Sequence, residues 1–482
     1  MVIDSLRVLN VKSFRDETVV RFDRGTNLLI GPNGGGKSNL LDILTTVIRH
    51  YFLIGYGFVE QRDPNGHSLR IQTISPFPNI QQALEPYFGN DTSMEIDITF
   101  VVQVEDIENI RRIVQHRETL YQAMARYQTR YNLEHFDRWD LTQLQPGAKL
   151  TYRIRNYALE GPDLPTHRAF YQYLRVFELV ALLGREPNVD LRLSPCFLYF
   201  SPFRSGEKPD SFQANLSAES PSQLLTSFLN ANSRTNTSLI HLATTYFAEK
   251  RRKFETEARD RGYWGRWEDD EEVQLVTRYL QRLGYSWDLK SIDTRKNVYA
   301  IEIEKGGVTF DVLRASSGEQ ELINFILGIL ALNIKNGVVI IDEPELHLHP
   351  RWQSLLLELL FELSDVTGNQ IVVSTHSGTF ITPRSISYVI RVYKDESNSS
   401  RVVRIDPATI GNLRDTLHII NAHNNEKLFF ADVVVLVEGI MDRLLFERLI
   451  ALYKQEMDDV RIVEVLEVHG KGNFERYRTF LR

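Results

Sequence analysis

The sequence has 482 residues, of which 43% are hydrophobic and 25% charged, as is usual for globular proteins with several domains. The formal net charge of −7 argues against a protein that coats nucleic acid, and a single cysteine, Cys196, excludes a disulfide framework. Residues 1–10 lack the pattern of a secretory signal, and the longest apolar run, residues 323–334, is too short to span a bilayer. We therefore predict a cytoplasmic protein without membrane contact.

The predicted elements, taken in chain order, indicate an α/β fold. Apolar positions alternate over residues 2–22, which predicts two antiparallel strands, and a short buried strand and a helix follow. Further on, the pattern predicts two strands, a long helical stretch and another strand-like segment. Helices then alternate with strands, as a parallel sheet requires. The ranges are 27–30 (buried strand), 39–51 (helix), 93–104 and 149–157 (strands), 222–283 (helical stretch) and 298–313 (strand-like segment).

A glycine-rich loop follows the buried strand and opens the first helix. It matches GxxxxGK[ST] and has the strand and helix that a phosphate-binding P-loop needs on either side. Backbone N–H groups and the helix N-terminus would hold the phosphates of ATP, Lys37 would reach the β- and γ-phosphates, and Ser38 would bind Mg²⁺. A plain glycine-rich turn is the alternative. The predicted nucleotide-binding residues are Gly31, Asn33, Gly34, Gly35, Gly36, Lys37, Ser38 and Asn39.

A second candidate site ends the apolar run at residues 338–341. Asp342 and Glu343 stand where the carboxyl end of a central parallel strand would meet the ligand. Asp342 would hold Mg²⁺ through its water shell, and Glu343 would orient or deprotonate the attacking water. The alternative is a buried strand followed by an acidic helix cap, since Pro344 suits a first helical turn.

Two further patterns in this region could indicate ligand binding, but each also has a simpler structural interpretation. Ser316 with Glu319, at the start of a predicted helix, fits a capping box as well as an anion-binding cradle. His347 and His349 have the spacing of zinc ligands, but no convincing third and fourth ligand lies near them. We therefore favour a loop at a subunit interface for the two histidines.

The order of P-loop, SSGEQ, IIDEPELHLHP and STHS resembles the ABC-type ATPases of the structural-maintenance-of-chromosomes (SMC) and RecF group. The resemblance covers roughly residues 1–60 and 298–390. It implies an ATPase head with an antiparallel β lobe and a parallel-sheet core, built from both ends of the chain. Ala315 and Ser317 depart mildly from the commonest signature, which has Leu and Gly there.

The resemblance also implies roles for single residues. SSGEQ would be the signature motif, which in this group binds the γ-phosphate of ATP held by a second subunit, so a homodimer is expected. His376 matches the switch histidine, which joins Lys37 and Glu343 as a catalytic residue, and Arg15 matches an arginine near the nucleotide. The implied signature residues are Ser316, Ser317, Gly318 and Glu319.

The C-terminal part contains a buried strand that ends in Glu438, then a helix and a second strand at residues 462–468. This pattern resembles the opening of a Toprim domain, and together with an ABC head it resembles the overcoming-lysogenization-defect (OLD) family of ATP-dependent nucleases. The resemblance implies that Glu438 and Asp442 bind a second divalent metal, Mg²⁺ or Mn²⁺. A βαβ element that closes an α/β domain is the alternative.

One departure affects the expected activity. The family has an Asp-x-Asp pair on a later strand, and the sequence through Arg482 contains none. We therefore expect these residues to hydrolyse ATP but to cleave DNA poorly. A longer version that includes such a pair is expected to nick DNA.

Four segments follow from these patterns. They are residues 1–190 (the first part of the ATPase head with the P-loop), 191–297 (a helical insertion or dimerisation arm), 298–425 (the second part of the head) and 426–482 (a partial Toprim-like segment). Basic residues 250–253, with the aromatic Tyr263, Trp264 and Trp267, could contact DNA, whereas a solvated helix face balanced by acids is the simpler reading.

The leading functional hypothesis is the ATPase part of an OLD-type DNA nuclease with a role in defence against phage. The alternative is a nucleotide-driven DNA clamp or switch that controls a separate protein effector and has no nuclease activity. A transporter ATPase is rejected, because transporter subunits place the signature much closer to the P-loop than here.

Overall fold

The computed structural model describes residues 1–482 except 64–65, 75–76, 78, 88–92, 128–143, 162–163, 185–188, 190, 192, 194, 201–213, 216–238, 262–265, 294–297, 332–333, 347, 406–418, 458–460 and 482. Its strands are β1 (Val2–Leu9), β2 (Thr18–Arg21), β3 (Thr26–Ile30), β4 (Gly55–Asp63), β5 (Gly66–Ile74), β6 (Glu95–Val101), β7 (Lys149–Arg155), β8 (Ala158–Leu159), β9 (Phe197–Phe200), β10 (Ala214–Asn215), β11 (Ser286–Asp293), β12 (Val298–Lys305), β13 (Val308–Asp311), β14 (Val338–Asp342), β15 (Gln370–Ser374), β16 (Val389–Lys394), β17 (Ser400–Arg404), β18 (Val433–Val437) and β19 (Val463–Glu467).

The α-helices are α1 (Lys37–Val47), α2 (Ile80–Ala83), α3 (Val104–Gln115), α4 (Arg117–Arg126), α5 (Pro165–Leu183), α6 (Leu239–Arg261), α7 (Glu271–Arg282), α8 (Ser317–Ala331), α9 (Pro350–Thr367), α10 (Ala422–Phe430), α11 (Ile440–Met457) and α12 (Phe474–Leu481). Among the described residues, no helix is both long enough and apolar enough to cross a membrane.

An antiparallel sheet of five strands, in the order β2-β1-β6-β7-β8, forms the N-terminal lobe. The predicted strand pair is present, with Leu6 opposite Val20 and both side chains buried. Alternating residues of β6 and β7 are buried, because one face of the sheet packs on the core. The antiparallel lobe expected of an ABC head is therefore confirmed.

A six-stranded sheet, in the order β17-β16-β3-β15-β14-β9, forms the centre of the molecule. Neighbours from β16 to β9 pair in parallel, and only β17 is antiparallel. Every residue of β3, β14 and β15 is buried, as is typical of parallel strands covered on both faces. The carboxyl ends of these three strands therefore meet at one edge of the sheet.

Each face of this sheet belongs to a separate hydrophobic core. Val338 and Ile340 of β14 face the core that includes residues of α1 and α5, whereas Val339 and Ile341 face the core that includes residues of α8 and α9. Two layers of helices thus hold the parallel sheet between them, which confirms the predicted α/β class.

Some predicted elements differ in their bounds. The first helix begins at Lys37 and ends at Val47, and one π-type turn, Ile48–Phe52, continues it. The strand-like residues 298–313 form a hairpin of two strands, because Gly306 and Gly307 take positive φ angles at its turn. Residues 426–430, at the start of the predicted Toprim-like segment, belong to helix α10.

The insertion combines helices with a small sheet. Helices α6 and α7 pack beside the sheet of β10 to β13, while residues 216–238 of the predicted helical stretch lie outside the described part. Strand β9 falls within residues 191–297 but pairs with β14 in the central sheet. The four segment boundaries remain predictions.

The C-terminal residues form a βαβ unit, in which β18 and β19 pair in parallel and α11 connects them. Helix α10 precedes this unit and packs on the loop that follows β15. The side chain of Asn425 donates to the carbonyl oxygens of Gly378, at 3.0 Å, and Ile381, at 2.7 Å. The C-terminal unit is therefore joined to the edge of the central sheet through α10.

Candidate nucleotide-binding and catalytic site

The loop between β3 and α1 requires glycine at two positions for different reasons. Gly36 is the N-cap of α1 and has a φ of 111°, and a Cβ there would lie 2.9 Å from Ser13 Oγ. Gly31 has a φ of 144°, and a Cβ there would overlap the carbonyl oxygen of Val392 on β16. The backbone can therefore follow this path only without these side chains. The result is a cradle of backbone groups at a helix N-terminus, which fits a phosphate chain.

Two neighbouring turns support the cradle from outside. Ser400, at the tip of the β16–β17 hairpin, donates its Oγ hydrogen to the carbonyl oxygen of Gly35 at 2.7 Å. Its backbone N–H donates to Ser13 at 2.7 Å, and the backbone N–H of Arg15 donates to Ser399 Oγ at 3.1 Å. The sequence alone did not predict this contact between the hairpin and the P-loop. Arg15 itself is exposed beside this turn.

Lys37 points into the loop. It is 3% exposed, and its Nζ donates to the carbonyl oxygens of Gly31, at 2.7 Å, and Pro32, at 3.0 Å. Burial lowers the pKa of Lys37 to about 8, although the carboxylates of Glu343 and Asp342 act in the opposite direction. The side chains of Asn33 and Ser38 are exposed and that of Asn39 is half-buried, so all three are accessible to a ligand.

Asp342 and Glu343 follow β14 at the same edge of the sheet. Asp342 is 4% exposed and accepts a hydrogen bond from Ser374 Oγ of the adjacent strand β15. Glu343 has a φ of 48°, which is unusual for a residue other than glycine, and its backbone N–H donates to the carbonyl oxygen of Ser374 at 3.0 Å. Such a conformation costs about 1–3 kcal/mol, so the surrounding contacts must hold it in place.

His376 lies between Lys37 and Glu343. Its Nδ1 is 3.5 Å from Lys37 Nζ, and its Nε2 is 3.3 Å from Glu343 Oε1. Burial and the Lys37 charge lower the pKa of His376 to about 4, so the imidazole is neutral near pH 7. Because an ammonium group can only donate, Nδ1 accepts from Lys37, which leaves the hydrogen on Nε2 to point at Glu343. The structure thus brings together the three residues predicted to be catalytic.

The predicted signature residues form a capped helix start. Ser316 Oγ and Glu319 Oε2 are 2.9 Å apart, and the backbone N–H groups of both residues are bonded to the other's side chain, as in a capping box. Lys305 Nζ lies 2.6 Å from Glu319 Oε1. Although burial acts in the opposite direction, hydrogen bonds from Lys305, Tyr285 and Ser316 lower the pKa of Glu319 to about 2. Ser317 and Gly318 occupy the first turn of α8.

The two predicted ligands of the C-terminal metal lie close in sequence to the end of β18. Glu438 directly follows this strand, Asp442 lies in the first turn of α11, and both are exposed. Glu467, which the sequence analysis missed, ends the neighbouring β19 opposite Val437 and is bound by Arg443 at 3.2 Å. Within the described part of the chain, no group of three or more His, Cys, Asp or Glu side chains is arranged to hold a metal ion.

Two weaker predictions concern zinc and DNA. His349 serves as the N-cap of α9, where it accepts from the N–H of Arg351 at 3.3 Å, and His347 lies outside the described residues. Lys250 forms ion pairs with Asp270 and Glu272, which favours the interpretation of a solvated helix face whose positive charge is balanced by acidic residues. The predicted aromatic partners at residues 263–264 also lie outside the described residues.

Three protein-family models match separate parts of the chain. A family model described as AAA domain matches residues 5–143, and one described as AAA domain, putative AbiEii toxin, Type IV TA system matches residues 263–382. A third, described as overcoming lysogenization defect protein-like, TOPRIM domain, matches residues 429–482. These matches imply the use of a nucleotide and of a divalent metal ion.

Two curated relatives are nucleases. The OLD nuclease of Thermus scotoductus is 34% identical over 152 residues, which are 30% of this chain and 28% of that protein. The Old nuclease of Escherichia phage P2 is 29% identical over 221 residues, 42% of this chain and 35% of that protein. The chain thus spans about a third of the length of these relatives. A solved SMC head domain from Thermotoga maritima covers 84% of this chain and all of its own at 15% identity, with a TM-score of 0.37.

The fold and the motifs define an ABC-type ATPase head, built from both ends of residues 1–404 and followed by a Toprim-type segment. The Toprim match and the two nuclease relatives extend the comparison beyond the ATPase head. The predicted resemblance to the OLD family is confirmed.

Proposed function

We propose that the protein hydrolyses ATP in composite sites of a homodimer and uses this cycle to control an OLD-type DNA nuclease. The observation that carries the proposal is the contact of Lys37 with His376 and of His376 with Glu343, at the mouth of the P-loop. A buried cation, a neutral imidazole and a carboxylate converge there on the place where the γ-phosphate of ATP would lie.

The residues divide the chemistry between them. Lys37 would exchange its bonds to the loop carbonyls for phosphate oxygens, and the exposed hydroxyl of Ser38 together with Asp342 would hold Mg²⁺. When bound, Mg²⁺ neutralises charge on the β- and γ-phosphates. Glu343 accepts the proton of the water that attacks the γ-phosphorus, while the bond to the ADP oxygen breaks. His376 uses its Nε2–H to hold Glu343 and the attacking water in line.

The dimer follows from the position of the signature residues. Hydrogen bonds within one subunit tie Ser316 and Glu319 to each other and to Lys305, so the helix start is preformed for an anion. In a two-fold dimer, this helix start would face the ATP on the P-loop of the partner. Arg15 is exposed beside the P-loop of its own subunit and would contact the nucleotide bound there.

Replacement of Lys37 by alanine tests the ATPase assignment. We expect ATP turnover to fall by about 100-fold or more, because a buried cation that stabilises phosphate charge is lost. Phosphate release in Mg²⁺ and in EDTA measures this effect. Lys290→Ala, which removes an exposed lysine from β11, is the matched control and should behave like the wild type. Turnover by Lys37→Ala at the wild-type rate would contradict the proposal.

The nuclease part rests on Glu438 and Asp442. Carboxylates at the end of a β-strand and on the following helix turn suit Mg²⁺ or Mn²⁺, which would activate water for phosphodiester cleavage in DNA. Relatives that are nucleases, one of them from a phage, support this role and a role in defence against phage. The alternative is a switch that acts on DNA or on a separate protein effector, and the exposure of the two carboxylates to solvent favours weak metal binding.

Replacement of Glu438 by alanine separates these two functions. We expect the affinity for Mn²⁺ to fall by about tenfold or more while ATP turnover stays unchanged, because the residue lies outside the P-loop site. Calorimetric Mn²⁺ titration, nicking of supercoiled plasmid and phosphate release are the three measurements. Glu475→Ala on α12 is the control. In the longer version that is expected to nick DNA, nicking that persists at full rate in Glu438→Ala would place the nuclease site elsewhere.

A further inference from the structure

A buried carboxyl group lies two residues after Glu343. Glu345 is only 9% exposed, although it belongs to a loop at the surface edge of the sheet. Its Oε1 accepts a short hydrogen bond, 2.6 Å, from the backbone N–H of His376. No side chain or backbone group among the described residues donates to its other oxygen, Oε2, which is also buried. Burial of a carboxyl with one oxygen left unpaired is costly, so a structural or functional gain must offset it.

The hydrogen bond between Glu345 and the backbone of His376 connects two loops that carry catalytic groups. The loop after β14 contains Glu343, and the loop after β15 contains His376. The next residue along the second loop, Ser377, donates its Oγ hydrogen to Gln353 of α9 at 2.6 Å. The backbone on either side of the imidazole is therefore fixed by side chains from the segment that follows Glu343.

The position of the imidazole depends on this backbone. The ring contacts Lys37 Nζ at 3.5 Å and Glu343 at 3.3 Å, and both distances are near the limit of a hydrogen bond. A small displacement of the main chain at residue 376 would break one contact or the other. Since the acceptor oxygen of Glu345 binds the N–H of residue 376 itself, at 2.6 Å, it sets where the ring can lie.

We propose that Glu345 is a positioning residue, whose carboxyl oxygen fixes the backbone of His376 and so holds the imidazole between Lys37 and Glu343. Its effect on turnover rests on the proposed ATPase function, whereas its effect on the imidazole does not. The required feature is an acceptor oxygen at this point and not a negative charge. Burial raises the pKa of Glu345, which is consistent with a role that does not need the ionised form.

Two substitutions of similar size separate the acceptor from the charge. Glu345→Gln keeps an oxygen acceptor and removes the charge, and Glu345→Leu removes both. Glu358→Leu, an exposed position on α9, is the matched control for the leucine substitution. If Glu345→Leu fails to fold, as judged by its thermal transition, Glu345→Ala takes its place.

The first measurement is the state of the His376 ring, followed by ¹⁵N chemical shifts of labelled histidines and assigned with His376→Gln. In the wild type and in Glu345→Gln we expect a neutral ring with hydrogen on Nε2 and a pKa far below the ordinary value of His. In Glu345→Leu we expect a mixture of the two tautomers and a pKa that moves back toward the ordinary value. An unchanged ring in Glu345→Leu would overturn the proposal, whatever the ATPase assay shows.

The second measurement is ATP turnover. We expect kcat to fall by about tenfold or more in Glu345→Leu, with the KM for ATP nearly unchanged, and to stay within about threefold of the wild type in Glu345→Gln. A loss in Glu345→Gln as large as in Glu345→Leu would show that the charge matters and would overturn the positioning role. If the wild type itself has no turnover, the proposed ATPase function fails, and the ring measurement still decides the role of Glu345.

Discussion

The Glu343→Gln variant should bind ATP nearly as tightly as the wild type but turn it over about 100-fold more slowly, or slower still. Glutamine has the shape of glutamate and can still accept a hydrogen bond from His376, which lies 3.3 Å away. It cannot take a proton from the attacking water. The change therefore removes stabilisation of the transition state while leaving the ground state nearly intact.

Equilibrium binding of a fluorescent ATP analogue and phosphate release measure the two effects separately. Glu396→Gln, at the exposed tip of the β16–β17 hairpin, is the control and should match the wild type in both assays. Wild-type turnover by Glu343→Gln would show that the residue is not the general base. Loss of ATP binding would instead point to a role in folding of the loop, because Glu343 has a positive φ angle that few residues other than glycine adopt.

The Ser316→Arg variant should bind ATP but neither hydrolyse it nor form the ATP-dependent dimer. An arginine at this position fills the space at the start of α8 where the nucleotide of the partner would lie, while the P-loop of the same chain is untouched. Ser354→Arg, at an exposed position on α9, adds the same bulk and charge away from the start of α8 and is the control. Light scattering in the presence of a non-hydrolysable ATP analogue measures the dimer.

Mixing Ser316→Arg with Lys37→Ala gives a stricter test of the same idea. Each chain alone lacks one half of both sites, but a mixed dimer contains one complete site, made of the intact P-loop of one chain and the intact signature of the other. An equal mixture should therefore recover turnover that neither variant shows alone, up to about half of the wild-type value if every dimer is mixed and the two sites act independently. No recovery, or full turnover by a demonstrated monomer, would exclude composite sites.

The parts of the site that follow from short stretches of sequence could be predicted. The P-loop motif lies between a strand and a helix that adjoin it in sequence, and the acids at residues 342–343 end an apolar run of strand length. In both cases local geometry determines which groups face the ligand. In a parallel sheet the carboxyl ends of the strands lie at the same edge, so the P-loop and the two acids are expected to meet there.

The supporting contacts could not be predicted, because they depend on which strands become neighbours. Ser374 binds Asp342 only because β15 pairs with β14, and Ser400 reaches the P-loop only because β16 pairs with β3. The buried position of Glu345 has the same origin, since its sequence surroundings suggest an exposed loop. Likewise, nothing in the residues of β9 shows that this strand leaves the insertion to extend the central sheet.

The place of β3 in the central sheet has a consequence for how the protein is made. Strand β3 is near the N-terminus, yet both of its neighbours, β15 and β16, are synthesised more than 330 residues later. The phosphate-binding loop therefore leaves the ribosome long before the strands and the carbonyl of Val392 that shape it exist. Pairing over such sequence distances closes slowly, so the nascent N-terminal part must persist without its central strand neighbours. The loop between β3 and α1 thus reaches its final shape only late in synthesis, after β15 and β16 have been made.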